Sequence, residues 1–279
     1  MILAQGISRY NISKTKVMEM EISFPKLSEQ EQIGSIFKQL ENIITLHQRQ
    51  LDSLKKAKKS FLQKLFPKNG TVSPEIQFAG FTDDWEQRKL NELVTQVARK
   101  VPKPSKPYKR ISIRSHAKGT FHQDVDDPSK VAMNNLFVVK EKDLIVNITF
   151  AWEHAIAIAK KSDDGLLVSH RFPTYRADGK SDINFLHYLV SKEDFRRKME
   201  LISPGGAGRN RVLSKKDFLK ITVTTPLTIK EQNKIGELFI KLDNLITLRQ
   251  RQLFSYQIPN LIQRVIALRD QRPDFRVLE

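Results

Sequence analysis

The string IITLHQRQL, Ile43 to Leu51, returns almost unchanged as LITLRQRQL, Leu245 to Leu253, 202 positions later (246 − 44). A match of this length marks an internal repeat. Working outward, Glu29, Gln30, Ile33, Gly34, Phe37, Leu40 and Asn42 recur as Glu231, Gln232, Ile235, Gly236, Phe239, Leu242 and Asn244. With a one-residue gap, RYNISKTKVMEMEISFP (Arg9 to Pro25) also aligns with RVLSKKDFLKITVTTP (Arg211 to Pro226). The beginning of the chain repeats its end, and the stretch between, roughly 70 to 205, occurs once.

Both copies read as long helices. In the first, Ile33, Phe37, Leu40, Ile44, His47, Leu51, Leu54, Lys58, Phe61 and Leu65 step by alternating fours and threes, a heptad seam. The second seam is Ile235, Phe239, Leu242, Ile246, Arg249, Leu253 and Tyr256. Ser28 with Glu31, and Thr228 with Glu231, have the spacing of capping boxes. Pro67 and Asn69-Gly70 end the first helix, which should span roughly 55–60 Å. The copies diverge after Tyr256, where Pro259 should interrupt the second helix. A helix this long needs a partner for its apolar stripe. Two like seams predict an antiparallel or crossed coiled-coil pair; the alternative is that each helix packs on its neighbouring domain. His47, Lys58 and Arg249 on the seams read as register-setting polar positions rather than ligands.

The 279 residues include 48 Lys+Arg against 31 Asp+Glu, a net charge of +17. That excess points to a polyanionic partner, nucleic acid first. There is no cysteine, which excludes disulfides and suits a reducing compartment. No run of about 18 apolar residues is present, and MILAQGISRYN has no signal-peptide pattern. A cytoplasmic location with no membrane partner is the expectation. The six His residues show no metal-ligand spacing.

The unique middle reads as an α+β domain. FPKNGTVSPEIQ is a turn-rich linker. In FAGFTDDWEQRKLNELV, Asp83 or Asp84 is expected to cap a short helix carrying Trp85, Leu90 and Leu93, with Trp85 in the core. VPKPSKPYKR reads as a loop, while YKRISIRS, LFVVKEKDLIVNITF and HAIAIAKK supply strands. INFLHYLVSKEDFRRKMEL has helical spacing, with Phe185, Leu186, Leu189 and Phe195 inward.

No catalytic constellation stands out. SPGGAGRN follows a helix and lacks the Gly-Lys-Ser/Thr ending of a phosphate loop. Asp124, Asp126 and Asp127 fall in FHQDVDDPSK, which reads as a capped turn more simply than as a nuclease cluster. The chain therefore reads as a binder. Three basic clusters near turns are its candidate DNA contacts: Lys109, Arg110, Arg114, His116 and Lys118; His170 and Arg171; and Arg209, Asn210 and Arg211. Arg and Lys hold phosphates, and Arg, Asn and His read base edges.

The repeated EQxxIGxxFxxLxNxITLxQRQL, together with the FxGFxxxW opening at Phe78–Trp85, resembles the specificity subunits of type I restriction–modification enzymes. The resemblance runs to about Leu268. It implies a remnant of a first target recognition domain over 1–24, a spacer helix over 25–67 and a linker over 68–80. A complete recognition domain over 81–225, a second spacer helix over 226–268 and a tail over 269–279 follow. It implies a fold of one mixed α/β recognition domain plus two long helices paired as an antiparallel coiled coil. It also implies a non-catalytic subunit that reads half of a split double-stranded DNA target and binds no cofactor itself. Modification subunits, which carry S-adenosylmethionine, dock on the helices, and a restriction motor/nuclease subunit joins them. With one complete recognition domain the chain looks like a truncated form, expected to pair as a homodimer through its helices. The rival expectations are a remnant without function, a coiled-coil adaptor without specific DNA binding, and a nuclease.

Overall fold

A computed structural model describes residues 4–5, 11–12, 14–68, 70–203 and 212–255. The chain divides into two compact units, 1–50 with 251–279, and 51–250, a division that cuts through both long helices.

In the smaller unit, strands β1 (Ala4–Gln5) and β2 (Asn11–Ile12) pair antiparallel, and a short helix α1 (Lys14–Met18) follows. Helix α2 runs from Leu27 to Lys64, 38 residues. Ser28 lies inside its first turn, so the capping box expected there does not form. The Lys26 carbonyl instead accepts from the Glu29 and Gln30 amides, and the Gln30 side chain donates to the Pro25 carbonyl at 2.8 Å. On this first half of α2 the seam is poorly covered. Ile33 and Leu40 are half-buried, while Phe37 and Ile44 are exposed.

The larger unit opens with the end of α2. The Ile76 amide hooks back to the Lys64 carbonyl at 3.1 Å, so the linker itself satisfies a helix-terminal carbonyl. Trp85 is buried, but the residues after it are not helical. Glu86–Lys89 form strand β3, and only Leu90–Leu93 make a single turn, α3. The reason is a distant partner: β3 pairs antiparallel with β13 (Thr222–Thr225), aligning Glu86 with Thr225 and Lys89 with Thr222.

Two further sheets follow. The four-stranded one has the order β10 (Ile156–Ile158), β9 (Leu144–Val146), β12 (Thr174–Arg176), β4 (Thr95–Val97). The five-stranded one has the order β5 (Lys100–Pro102), β8 (Asn135–Val138), β11 (Leu167–Val168), β6 (Tyr108–Ile113), β7 (Thr120–Val125). Only β11 and β6 among these neighbours run parallel. Ile111, Ile113 and Val168 from one sheet meet Ile145 and Ala157 from the other in a small core.

The pattern over 183–201 yields two helices, α4 (Ile183–Val190) and α5 (Glu193–Ile202). They separate at Ser191, whose hydroxyl bonds back to the His187 carbonyl at 2.6 Å in competition with the helix ladder. Asp182 caps α4 by accepting from the Phe185 amide at 2.7 Å, and Ser214 caps α6 (Lys215–Leu219). Helix α7 (Ile229–Ser255) starts as expected, with the Thr228 hydroxyl accepting from the Glu231 amide at 3.3 Å.

The main core gathers around Phe66, just past the end of α2. Its ring stacks on Phe185 of α4 at 5.6 Å, meets Trp85 edge-on at 5.9 Å and touches Phe239 of α7 at 6.0 Å. Trp85 also donates its indole N–H to the Glu231 carboxylate at 3.2 Å. Gly236 of α7 faces α4 so closely that a Cβ would lie 2.6 Å from the Asp182 Oδ1. Thus Glu231, Ile235, Gly236, Phe239 and Leu242 together seat this domain on α7. Their twins Glu29, Ile33, Gly34, Phe37 and Leu40 do not repeat this: Phe239 is 0% exposed and Phe37 50%, and Gly34 has open space around it. Farther along α7, Ile246 and Leu253 are half-buried; on α2, Leu51 is buried and Leu54 partly so.

Before α2 the repeat also breaks down structurally. Short helices α1 and α6 occupy matching places, but Glu21–Phe24, the counterpart of β13, is not a strand. Ile22 is exposed where Val223 is buried. A strand needs a neighbour to take its amides and carbonyls, and β13 has β3.

Candidate nucleic-acid interface

The first basic cluster lies on the β6–β7 hairpin. Ile111 and Ile113 alternate inward along β6, so Tyr108, Arg110 and Ser112 share the other face. Lys109 and Arg110 thus point to opposite faces. Lys109 pairs with Asp124 on β7 at 3.0 Å, and Arg110 Nε donates to the Gln123 side chain at 3.0 Å. Arg114, at the hairpin tip, donates to the Thr120 carbonyl at 2.5 Å and lies 4.9 Å from the Phe121 ring centroid.

The hairpin tip is anchored. His116 and Ala117 both adopt left-handed backbone, with φ of 60° and 51°. Such backbone is costly for a residue with a Cβ, and neighbouring contacts hold it. The His116 and Ala117 amides donate to the Glu153 and His154 carbonyls, each at 2.8 Å, and Ser115 donates to the Glu153 carboxylate at 2.5 Å. Lys118 is exposed beside them. His154 is itself buried; its Nε2 contacts the Val190 carbonyl at 2.6 Å, and burial holds its imidazole below the usual value. On β7, His122 reaches the buried Asp163 at 2.7 Å, and Thr120 donates to the same carboxylate at 2.9 Å.

The second cluster comes alongside the first. Arg171 follows β11, in a turn where its amide donates to the Ser169 hydroxyl at 3.2 Å and its carbonyl accepts from Ile148 at 3.0 Å. Arg110 and Arg171 line one cavity of about 270 Å³, while His170 is exposed next to it. Gln123, Asn147, Thr149 and Ser169 add amides and hydroxyls to that cavity, and Tyr108 and Phe150 add rings. None of these six was singled out from charge alone. The strand alternation of YKRIS was the available signal, since it places Tyr108 with Arg110. The third cluster, Arg209, Asn210 and Arg211, lies outside the described residues.

Other charges serve the fold. Asp143 is fully buried and accepts from Arg99 at 2.6 Å, Arg176 at 2.9 Å and the Lys140 amide at 2.8 Å. Asp124 is engaged by Lys109. Asp127 caps a turn through the Ser129 hydroxyl and amide, which hold its carboxyl below the ordinary value. Among the described residues no group of three or more His, Cys, Asp or Glu is placed to hold a metal, and no helix is long and apolar enough to cross a membrane.

Comparison with known proteins gives a consistent result. The family described as type I restriction modification DNA specificity domain matches residues 2–56 and 82–254. Two curated proteins of Methanocaldococcus jannaschii are similar. The putative type I restriction enzyme MjaX specificity subunit is 23% identical over 259 residues, 90% of this chain and 59% of its own length. The type I restriction enzyme MjaVIII specificity subunit is 26% identical over 265 residues, 89% of this chain and 61% of its own length. The chain thus spans about three-fifths of the length of these relatives. Among solved structures, the HsdS subunit from Thermoanaerobacter tengcongensis shares the fold with a TM-score of 0.55 at 15% identity, over 97% of this chain and 65% of that one. The type I restriction–modification S subunit from M. genitalium does so with a TM-score of 0.51 at 16% identity, over 98% and 69%.

Proposed function

The chain belongs to the type I restriction–modification DNA specificity family, and from that premise we propose that it is the DNA-recognition subunit of such a complex. The observation that carries the reading is the joining of Arg110 and Arg171, from separate basic clusters, at one cavity of a recognition-type domain. In this reading the domain over 81–225 contacts one half of a split target. Guanidinium groups hold phosphates and read base edges there. The chain contributes recognition. Methyl transfer belongs to modification subunits that carry S-adenosylmethionine, and cleavage to a restriction subunit. The complex works in the cytoplasm.

The two helices act as the spacer. We propose that their seams pair as an antiparallel coiled coil, which the contacts of Lys58 with Asp243 and Phe66 with Phe239 support at one end. The 38 residues of α2 correspond to about 57 Å of helix, enough to bridge half-sites one DNA turn, about 34–36 Å, apart. Two copies joined through their helices would present two recognition domains in two-fold symmetry, and the half-exposed seam around Phe37 and Ile44 favours such association.

Copurification with a modification subunit, followed by mapping of methylated sites, tests the reading. Methylation that requires this chain, at an inverted split target, is the expected outcome. A non-palindromic target with this chain alone would reject the symmetric dimer. Methylation unaffected by its removal would reject the recognition role.

A further inference from the structure

A base read within an intact duplex stays in the stack and offers only its edge to protruding side chains. The recess shared by Arg110 and Arg171 has a volume of about 270 Å³, room for a group that has left the stack. Its floor is apolar, built from Ile111, Leu136 and Val168, all buried. Its walls are hydrogen-bonding, with the Gln123 and Asn147 amides and the Thr149 and Ser169 hydroxyls. Gln123 is already oriented by Arg110, and the Asn147 carbonyl oxygen by the Thr149 amide at 3.1 Å.

Aromatic rings complete the lining. Tyr108 contributes one of them. Phe150, also in the lining, is 46% exposed, an aromatic face left available for stacking. An apolar floor, hydrogen-bonding walls, an open ring and two flanking guanidinium groups match one chemical class. It is a planar heteroaromatic base with phosphate on either side.

We propose that this recess takes up a single nucleotide turned out of the DNA duplex, its base against Phe150 and Tyr108 and its flanking phosphates on Arg110 and Arg171. The inference rests on the DNA-recognition role proposed above. Taking a paired base out of the stack costs free energy, and an unpaired one is released from that cost. Duplexes that differ only at one unpaired position therefore test it.

The full chain would be titrated at fixed salt with a perfectly paired duplex, with duplexes bulging each of the four bases in turn, and with a duplex bulging an abasic site. At least one bulged base is expected to bind about tenfold tighter or more than the paired duplex, and the abasic bulge is not. Phe150→Ala should weaken binding of the favoured bulged duplex severalfold and that of the abasic bulge far less, with circular dichroism confirming the fold. Equal affinity for paired and bulged duplexes, or an abasic bulge that gains as much as a base, overturns the inference and leaves DNA recognition standing. Absence of salt-dependent binding to any duplex removes both.

Discussion

Lys58 of α2 and Asp243 of α7, 185 residues apart in the chain, form an ion pair at 2.5 Å, and the second oxygen of Asp243 accepts from the Tyr188 hydroxyl at 2.7 Å. A cation on the heptad seam thus finds its anion on the repeat's other helix, and Tyr188 of α4 joins them. The pair is partly exposed, so its coupling should be modest. A double-mutant cycle of Lys58→Met and Asp243→Asn is expected to give about 0.5–1 kcal/mol by urea unfolding. A coupling near zero would show that the two side chains do not fix the register.

The twin glycines should respond in opposite directions. Gly34→Ala places a methyl in open space on a helix and removes glycine's backbone freedom, so the chain should gain about 0.5–1 kcal/mol. Gly236→Ala drives a methyl against Asp182 and against the backbone amide of Phe185, 2.9 Å away. Overpacking should outweigh the helical gain, with a net loss of roughly 1–2 kcal/mol. Thermal melts of both variants check the contrast, and a shared sign would refute it.

Burial pushes the Glu231 carboxyl above its ordinary value, against the opposing pull of the Trp85 hydrogen bond. The native state therefore holds this proton more tightly than the unfolded chain. Its stabilising contribution is fully present below the ordinary value of 4.5 and is lost as pH rises through the raised native value. Glu231→Gln keeps an acceptor for the indole without the charge. The variant should be more stable than the parent at pH 7, and the gap should close toward pH 4.5. A difference independent of pH would contradict the assignment.

For DNA binding, Arg110→Ala and Arg171→Ala should each weaken affinity and lower the slope of log K against log salt by about 0.9. Arg99→Ala should leave the slope intact while reducing stability, because its guanidinium is committed to the buried Asp143. Fluorescence anisotropy at several salt concentrations separates these outcomes. An Arg99 variant that changes the slope as much as Arg110 would undo the distinction.

Much of this architecture is legible in the sequence because it is local. The heptad of Ile33 to Leu65 declares a long helix, and the alternation in YKRISI declares a strand. The failures are where a distant segment decides. Trp85, Leu90 and Leu93 have a helical look, yet Glu86–Lys89 are extended because Thr222–Thr225, more than 130 positions on, supply their hydrogen bonds. Glu21–Phe24 show the converse, with strand-like alternation in the chain and no strand in the fold. At the candidate site, charge drew attention to Arg110 and Arg171. The recess between them is assembled from the β6–β7 hairpin, strands β8 and β11 and the turns after β9 and β11, a juxtaposition no linear pattern encodes.

The ring of Phe66 follows the end of α2 and Phe239 lies in the first half of α7, while Trp85 and Phe185 come from the globule between them. The helices and the globule therefore meet through four aromatic groups, none of which lines the recess of Arg110 and Arg171. A substitution among these four rings should therefore be felt in the joint between the helices and the globule before it is felt at Arg110 and Arg171.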